Sequence, residues 1–484
     1  MKRRDFLKKG TSLASLAVAS SLSFSKKASA GAHAKQINVL TVGDPWDMAL
    51  QNSLKIFEEK TGIKVNLESL GYPALQARLV NSFLTKTSDA DVIAVDQMWI
   101  SQYADNGWIR SLDDFISQDS DTDLNDFLPE VLYSLSTWRG NIWTLPVAAY
   151  GQGIMYRTDV FEELGLNRLP KSTKEASNWT WEEYFKLVAK VNGTKFKGKD
   201  FYGTTLIGQQ PVPVVHMYTQ LAASYGVKWF EKFPRAPWNF NTTINSEQNV
   251  SALKDWIKLY EMSPPEAINY LWFDAGTRFS GPADIGMFFH WTPYFYLINN
   301  DGYLTGKPSS IVGNVETAVL PTKDAGGEQT VSLGGWSLGM PSTSSNQDEA
   351  WQFIKFATSS EGQKAMGKVN KAGYQFADFS RKSLYEDKEL NKLYPFLDTQ
   401  LEMMLLGNGK IVRPPAPIYT SLEGVYGLHL NKAMAKTMSP EDALQSTEAL
   451  FNTILSGNQY VPEYNLESFD DTLESTKKLI NRLT

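Results

Sequence analysis

The feature that most constrains the fold is a regular change of hydrophobic period between residues 37 and 107. Runs that alternate apolar and polar residues, or that are apolar throughout, predict strands at 37–42, 63–67 and 91–95. Apolar residues spaced three or four apart predict the helices that follow, around 50–57, 75–83 and 98–106. This order of strands and helices predicts an α/β fold, in which a parallel or mixed sheet carries helices on its faces.

Three loops follow these strands, at residues 43–46, 71–72 and 96–99. Sheets of this kind bind ligands at the carboxyl ends of their strands, so these loops are the candidate binding loops. They carry Asp44 and Asp96, whose carboxylates can accept hydrogen bonds from hydroxyls, and aromatic rings that can cover C–H surfaces. The loops therefore suit a polyhydroxylated ligand. Capping of the following helix is a close rival interpretation for Asp44, and Asp96 has the same ambiguity.

A second informative segment covers residues 332–363. It predicts a strand, a break at Gly334-Gly335-Trp336, a short second strand, a serine-rich turn and an amphipathic helix. The glycines allow a sharp turn and a close approach of the backbone to another group. Trp336 can present a wide apolar face at a strand end. Most of the 14 tryptophans are expected in the core, but for those at strand ends a ligand role and a packing role are equally good interpretations.

The first 34 residues predict an export signal of the twin-arginine (Tat) type. Arg3 and Arg4 precede a mildly apolar run at 13–24, which is too short to span a bilayer, and two A-x-A sites allow cleavage near residue 30 or 34. A basic disordered tail is the simpler alternative, and the order of these features disfavours it. The chain has no cysteine, and therefore neither a lipid-anchor cysteine nor a disulfide framework. A free periplasmic protein of a Gram-negative bacterium is expected.

Charge and length limit the function further. The net charge is −6, and the export segment carries seven Lys or Arg against one Asp, so the remainder is near −12. An acidic chain without a basic stripe disfavours nucleic acid as a partner. The ~450 remaining residues predict two or three domains.

Other sequence patterns indicate other functions, but less strongly. Residues 335–339 match the G-x-S-x-G elbow of hydrolases, but turn residues follow the serine where a helix is required. Residues 193–199 approach a phosphate-binding loop, but Asp200 replaces the Ser or Thr that would hold magnesium. The four histidines are far apart and have no cysteine partners, which disfavours zinc. A carboxylate pair for glycoside hydrolysis stays possible, since no local motif isolates one among the 53 acidic residues.

Taken in order, several segments resemble the sugar-type extracellular solute-binding proteins of ABC importers, the family of maltose-binding protein. The resemblance is carried by motifs spread over nearly the whole chain after the export segment, at 57–65, 90–96, 102–107, 145–147, 155–161, 284–291, 319–321, 332–363 and 413–419. It implies a two-lobed fold in which each lobe is a mixed or parallel sheet flanked by helices, with crossover strands as the hinge. The lobes are expected at 35–147 with 316–375, and at 148–315 with 376–484.

The resemblance also implies a ligand between the lobes, with Trp336 stacked on it. The expected ligand-binding residues are Asp44, Trp46, Tyr72, Asp96, Gln97, Trp99, Tyr150, Gln152, His290, Trp291, Gly334, Gly335, Trp336 and Arg413. The expected function is capture of a sugar, oligosaccharide or polyol and its delivery to a membrane permease, without catalysis, cofactor or metal, by a monomer. Two alternatives stay open: an anionic cargo, which would need Arg278 or Arg413 in the cleft, and a saccharide hydrolase or lyase.

Overall fold

The structure is a computed structural model, and it describes residues 35–87, 90–299, 304, 306–368, 376–458, 461–465 and 469–484. The expected export signal and its cleavage sites lie outside the described residues. Within the described part of the chain, no helix is both long and apolar enough to cross a membrane.

The first lobe is built on a five-stranded mixed sheet with strand order β2-β1-β3-β14-β6. Its strands are β1 (Gln36–Val42), β2 (Lys64–Leu70), β3 (Val92–Asp96), β6 (Thr144–Tyr150) and β14 (Gly334–Gly339). β1 runs parallel to β2 and β3, whereas β14 is antiparallel to both β3 and β6. The strands predicted at 37–42, 63–67 and 91–95 are therefore confirmed within one to three residues at their ends.

Helices pack against this sheet through the spacing seen in the sequence. α1 (Pro45–Thr61) buries Leu50 and Phe57, and it ends at Gly62, which has a left-handed backbone with φ 71°. Each such side chain contributes about 1.5–3 kcal/mol through burial. Every residue of β3 is buried, as its apolar run predicts for a strand covered on both faces. The other helices of this region are α2 (Tyr72–Thr85), α3 (Ile100–Asp105), α4 (Asp113–Ser117), α5 (Pro129–Ser136), α12 (Gln347–Ala357) and α13 (Ser360–Gly367).

The second lobe contains a three-stranded antiparallel sheet with strand order β12-β7-β13. Its strands are β7 (Gln152–Arg157), β12 (Met287–Trp291) and β13 (Val315–Ala318). The chain enters this sheet directly after β6, through Gly151, and it returns to the first sheet between Ala318 and Gly334. The lobe boundary expected between residues 315 and 316 falls inside β13. The whole of β13 pairs with β7, so residues 316–318 belong to the second lobe and not, as expected, to the first.

Helices of the second half surround this sheet and extend to the end of the chain. They are α6 (Thr158–Glu163), α7 (Trp181–Val191), α8 (Pro213–Ser224), α9 (Glu247–Glu261), α10 (Trp272–Ser280), α11 (Pro293–Leu297), α14 (Lys382–Tyr385), α15 (Lys388–Leu393), α16 (Leu397–Leu405), α17 (Gly409–Val412), α18 (Tyr419–Met434), α19 (Pro440–Gly457), α20 (Val461–Tyr464) and α21 (Leu473–Leu483). The last helix, α21, packs on α4 and α5 of the first lobe, although residues 376–484 were expected in the second.

Three short hairpins complete the fold. They are formed by β4 (Thr137–Trp138) with β5 (Asn141–Ile142), β8 (Lys195–Phe196) with β9 (Lys199–Asp200), and β10 (Phe230–Lys232) with β11 (Asn239–Thr242). Residues 193–199, which approach a phosphate-binding loop in sequence, lie mostly in the β8–β9 hairpin. No helix starts there, so this segment lacks the helix N-terminus that a phosphate-binding loop requires.

Ser337, the serine of the G-x-S-x-G match, lies in the middle of β14. Its side chain is fully buried, and its hydroxyl donates a hydrogen bond of 2.7 Å to the carbonyl of Leu135. A hydrolase nucleophile must instead stand exposed at a turn from a strand into a helix. The neighbouring Gly335 has φ 128°, and a Cβ there would lie 2.1 Å from the carbonyl oxygen of Ala148. The motif therefore serves close strand packing.

Candidate ligand-binding cleft

A cavity of about 580 Å3 lies between the two sheets. The first-lobe wall is formed by the ends of β1, β3, β6 and β14 and the start of α2; the opposite wall comes from α8, α10 and the end of β12. Its lining residues are Val42, Gly43, Asp44, Pro45, Tyr72, Pro73, Gln76, Asp96, Tyr150, Gln209, Gln210, Pro211, Val212, Pro213, His216, Leu271, Trp272, Phe273, Asp274, Trp291, Pro293, Tyr294, Gly334, Gly335, Trp336 and Arg413.

Asp44 faces this cavity from the end of β1. It occupies the position before α1, but its side chain makes no capping hydrogen bond. Its Oδ2 instead accepts hydrogen bonds from the Trp336 indole N–H at 3.0 Å and from the Tyr150 hydroxyl at 3.2 Å. Burial raises the pKa of Asp44 to about 7, even though both hydrogen bonds favour the ionised form. The structure thus favours a role of this carboxyl in the cleft over a role as the cap of α1.

Asp96 ends β3, and it does not cap the following helix α3, whose N-cap is Trp99. Its Oδ1 accepts a local hydrogen bond of 2.9 Å from the Met98 N–H, and the residue also lines the cavity. Burial raises the pKa of Asp96, while the charges of Arg413 and His216 act in the opposite direction. The carboxyl is therefore tied to the far wall of the cleft by electrostatics as well as to its own loop.

Arg413 supplies the cation of the cleft. It is only 1% exposed, its Nη2 donates to the carbonyl of Leu333 at 3.0 Å, and its guanidinium lies over the Trp291 ring at 5.2 Å. Among the described residues, no carboxylate lies within 4.0 Å of this guanidinium. Arg278, the other arginine considered for an anionic cargo, is paired with Asp284 and does not line the cavity.

Aromatic side chains surround the cavity in a sequence of neighbouring rings. The ring centroids of Trp336 and Tyr72 are 5.9 Å apart, those of Tyr72 and Trp272 6.0 Å, those of Trp272 and His216 5.5 Å, and those of His216 and Trp291 6.2 Å. Trp291 then approaches Gly334 so closely that a Cβ there would lie 2.9 Å from its ring. We call these five side chains the aromatic belt. It offers apolar faces on several sides of one ligand.

The structure places nine of the residues expected from the sequence on the cavity wall. They are Asp44, Tyr72, Asp96, Tyr150, Trp291, Gly334, Gly335, Trp336 and Arg413. The other five do not line it: Trp46, Gln97, Trp99, Gln152 and His290, all of which are at most 1% exposed.

These five residues lie one layer behind the wall. The rings of Trp46 and Trp99 pack near Trp336, at 6.5 and 5.7 Å, and hold it in place. Gln152 donates from its amide to the carbonyl of His216 at 2.9 Å. Neighbouring residues of a strand face opposite ways, so His290 points away from the cavity when Trp291 faces it. Burial lowers the pKa of His290 well below its usual value, which leaves the imidazole neutral.

Several lining residues were missed in the sequence, above all His216 on α8 and Trp272 at the start of α10. Both lie on helices, whereas the site was predicted from the loops that follow strands. The only local signal is the helix start at 271–274, where the Asp274 carboxylate accepts a hydrogen bond from the Leu271 N–H at 3.2 Å. That signal predicts a helix and does not predict which lobe its first ring will contact.

Among the described residues, no group of three or more His, Cys, Asp or Glu side chains could hold a metal ion.

The erythritol/L-threitol-binding protein of Mycolicibacterium smegmatis is 23% identical to this chain over 371 residues, which cover 72% of this chain and 71% of that protein. A solute-binding protein of an ABC transporter from Agrobacterium radiobacter K84, in complex with ribitol, has a TM-score of 0.74 at 26% identity, covering 87% of this chain and 98% of that one. Maltose-bound T. maritima MalE3 has a TM-score of 0.72 at 23% identity, covering 87% and 100%. These structures confirm the two-lobed fold.

The family model described as "Bacterial extracellular solute-binding protein" matches residues 40–364, which include both sheets except the first residues of β1, and most of the cavity wall. This match confirms the resemblance seen in the scattered motifs of the sequence. The chain belongs to the bacterial extracellular solute-binding protein family.

Proposed function

We propose that this protein is the periplasmic receptor of an ABC importer for a neutral polyol or small sugar. The aromatic belt is the observation that carries the proposal. Aromatic faces bind the C–H surfaces of such cargo, while Asp44, Asp96 and Arg413 stand among them to bind hydroxyls. The cavity volume of about 580 Å3 lies within the range of small-molecule sites.

The chemistry of the first-lobe wall favours a neutral cargo. Asp44 and Asp96 both face the cavity, and each would repel an anion when ionised. A hydroxyl can instead donate to either carboxylate and accept from Arg413. A relative named for erythritol and L-threitol, and a neighbour in complex with ribitol, agree with a short linear polyol as cargo. A maltose-bound neighbour also agrees with a disaccharide.

Transport without catalysis is part of the proposal. The cargo would be bound between the lobes, closure would bury it, and the closed form would dock on the membrane permease. Ser337, the residue that suggested a hydrolase, is buried in β14 and cannot reach a ligand. Export by the Tat route, location in the periplasm and a monomeric state complete the proposal. The sequence pattern of residues 1–34 and membership of an extracellular family support the route and the location, whereas the monomeric state follows only from the resemblance stated for the sequence.

A thermal-shift screen followed by calorimetry tests the proposal. The panel contains erythritol, ribitol, mannitol, glucose, maltose and an aldonate. A ligand at a hundredfold excess over its Kd should stabilise the folded protein by about 2.7 kcal/mol. We expect a shift with at least one neutral compound and its full recovery after incubation. Recovery of a cleavage product, or a shift with the aldonate alone, would overturn the reading of a neutral transport cargo.

An anionic cargo is the second candidate, and a specific observation favours it. Arg413 is buried, lines the cavity and has no carboxylate within 4.0 Å in the described part of the chain. A buried guanidinium with no carboxylate in direct contact would gain from a bound anion, although the charge of Asp96 already acts on it from a greater distance. Arg413→Ala should weaken a neutral polyol by about tenfold, the effect of one lost charged hydrogen bond. For an anionic cargo it should abolish binding, and Arg413→Lys should restore part of it.

A further inference from the structure

The aromatic belt passes between the two lobes at two places. One is the contact of Trp291 with Gly334, and the other is the contact of Tyr72 with Trp272. Gly334 begins β14, directly after the segment by which the chain returns from the second sheet, so the first crossing lies beside the hinge strands. In the part of the chain that the structure describes, Tyr72 and Trp272 both lie outside the segments that join the two sheets, at Gly151 and between Ala318 and Gly334. Rotation of the lobes about the hinge must therefore change the contact of Tyr72 with Trp272 most directly.

Each ring of this second crossing is held firmly by its own lobe. The Tyr72 ring packs against Trp99, which is fully buried, at 5.2 Å, and against Trp336 at 5.9 Å. The Trp272 ring packs on His216, which is 5% exposed, at 5.5 Å. Because both rings are fixed before they meet, their contact loses little side-chain freedom and specifies one relative position of the lobes.

The contact also lies at the rim of the cavity. Leu271 and Phe273, the residues on either side of Trp272, are each 40% exposed, whereas Trp272 itself is half-buried. A cargo inside the aromatic belt would have to pass between Tyr72 and Trp272, or wait for them to part, in order to leave on this side.

From these observations, and resting on the proposed function, we infer that Tyr72 and Trp272 form a latch that holds the lobes closed and sets how long cargo stays bound. Trp272 is the partner contributed by the second lobe, and it acts by positioning the lobes as well as by covering the cargo. Removal of its ring should favour open forms and speed cargo release, with a smaller effect on the rate of cargo entry.

A distance measurement on the protein without cargo tests the latch independently of the cargo. The chain has no cysteine, so Lys55→Cys on α1 and Lys190→Cys on α7 place one spin label on each lobe. In this background we compare wild type, Trp272→Ala and Trp108→Ala. Trp108 is also a half-buried tryptophan, but it stacks on Phe83 within the first lobe. We expect longer and broader distances for Trp272→Ala, and the wild-type distribution for Trp108→Ala.

A Trp272→Ala distribution identical to that of wild type would overturn the latch. Trp272→Phe, which keeps a ring, covers the case in which the alanine variant folds poorly, and it should give an intermediate distribution.

Dissociation of ribitol, followed by stopped flow, gives the second readout. Trp272→Ala should release it about tenfold faster or more, and an unchanged rate would also overturn the latch. If neither ribitol nor the other compounds of the panel bind to wild type, but Trp272→Ala still lengthens the distance between the labels, the proposed cargo is wrong and the latch is supported.

Discussion

Asp44 carries an energetic cost that a single substitution should remove. Its pKa is raised from 3.8 to about 7, chiefly by burial. One pKa unit corresponds to 1.36 kcal/mol, so ionisation of this carboxyl in the folded protein costs up to about 4 kcal/mol. The residue keeps part of its surface open to the cavity, where water screens the charge, and we expect about 1–3 kcal/mol in practice. Asp44→Asn keeps an oxygen that can accept from Trp336 and Tyr150, and it carries no charge.

The pH dependence follows from the direction of the shift. A carboxyl with a raised pKa binds its proton more tightly in the folded state, so folding is favoured at low pH. This advantage is lost as pH rises from about 4 through 7. Asp44→Asn should therefore match wild type near pH 4 and exceed its free energy of unfolding by about 1–3 kcal/mol at pH 8.

Urea unfolding without cargo, at several values between pH 4 and pH 8, measures this difference. Asp200→Asn, at a side chain that is 77% exposed, is the matched control and should show no pH-dependent gain. The same Asp44→Asn variant should bind cargo at least about tenfold more weakly, since it loses a charged acceptor. A stability difference that is constant with pH, or a loss of stability at pH 8, would refute the reasoning.

Two further predictions concern stability alone. Gly335→Ala should lower the free energy of unfolding by at least about 2 kcal/mol in urea, because φ is 128° and the new Cβ would meet the Ala148 carbonyl oxygen at 2.1 Å. Gly424→Ala is the control: it lies in helix α18, where the new Cβ would have no heavy atom within 4 Å, and it should raise the free energy of unfolding by up to about 1 kcal/mol. Lys410→Met should cost about 3–5 kcal/mol, because Lys410 and Asp471 form a buried ion pair at 2.6 Å and the substitution removes the cation of that pair. Lys254→Met breaks an exposed pair with Glu441 and should change stability by less than about 1 kcal/mol, so equal losses in the two variants would contradict this account.

Much of the first lobe could be predicted because its signals are local. The strands β1 to β3 and the helices between them follow from hydrophobic period, and Asp44, Tyr72 and Asp96 follow from the rule that ligands bind at strand ends. The sequence does not show which way a side chain at a strand end points. Trp46 and Trp99 were chosen by the same rule as Trp336, yet both are fully buried and lie behind it.

The second lobe was less predictable because its part of the site depends on packing between distant elements. Trp272 acquires its neighbours only when α10 meets α8 and the first lobe, and nothing in residues 271–274 specifies that meeting. The expected boundaries also separate residues 316–318 of β13, and helix α21, from the elements that they contact, for a related reason. The sequence of a short strand or an amphipathic helix does not show which lobe it belongs to. Its place depends on the elements with which it packs.

The position of β14 has a consequence for the order in which the protein can fold. β14 lies between β3 and β6, so that Trp336 stands opposite Asp96 on one side and Ala148 on the other. During synthesis, β3 and β6 emerge long before the strand that must separate them, and the first sheet has a gap until residue 339 is available. Contacts this distant in sequence form slowly and leave strand edges exposed in the meantime. The proposed Tat route carries proteins that are already folded, so it would give this sheet time to close before export.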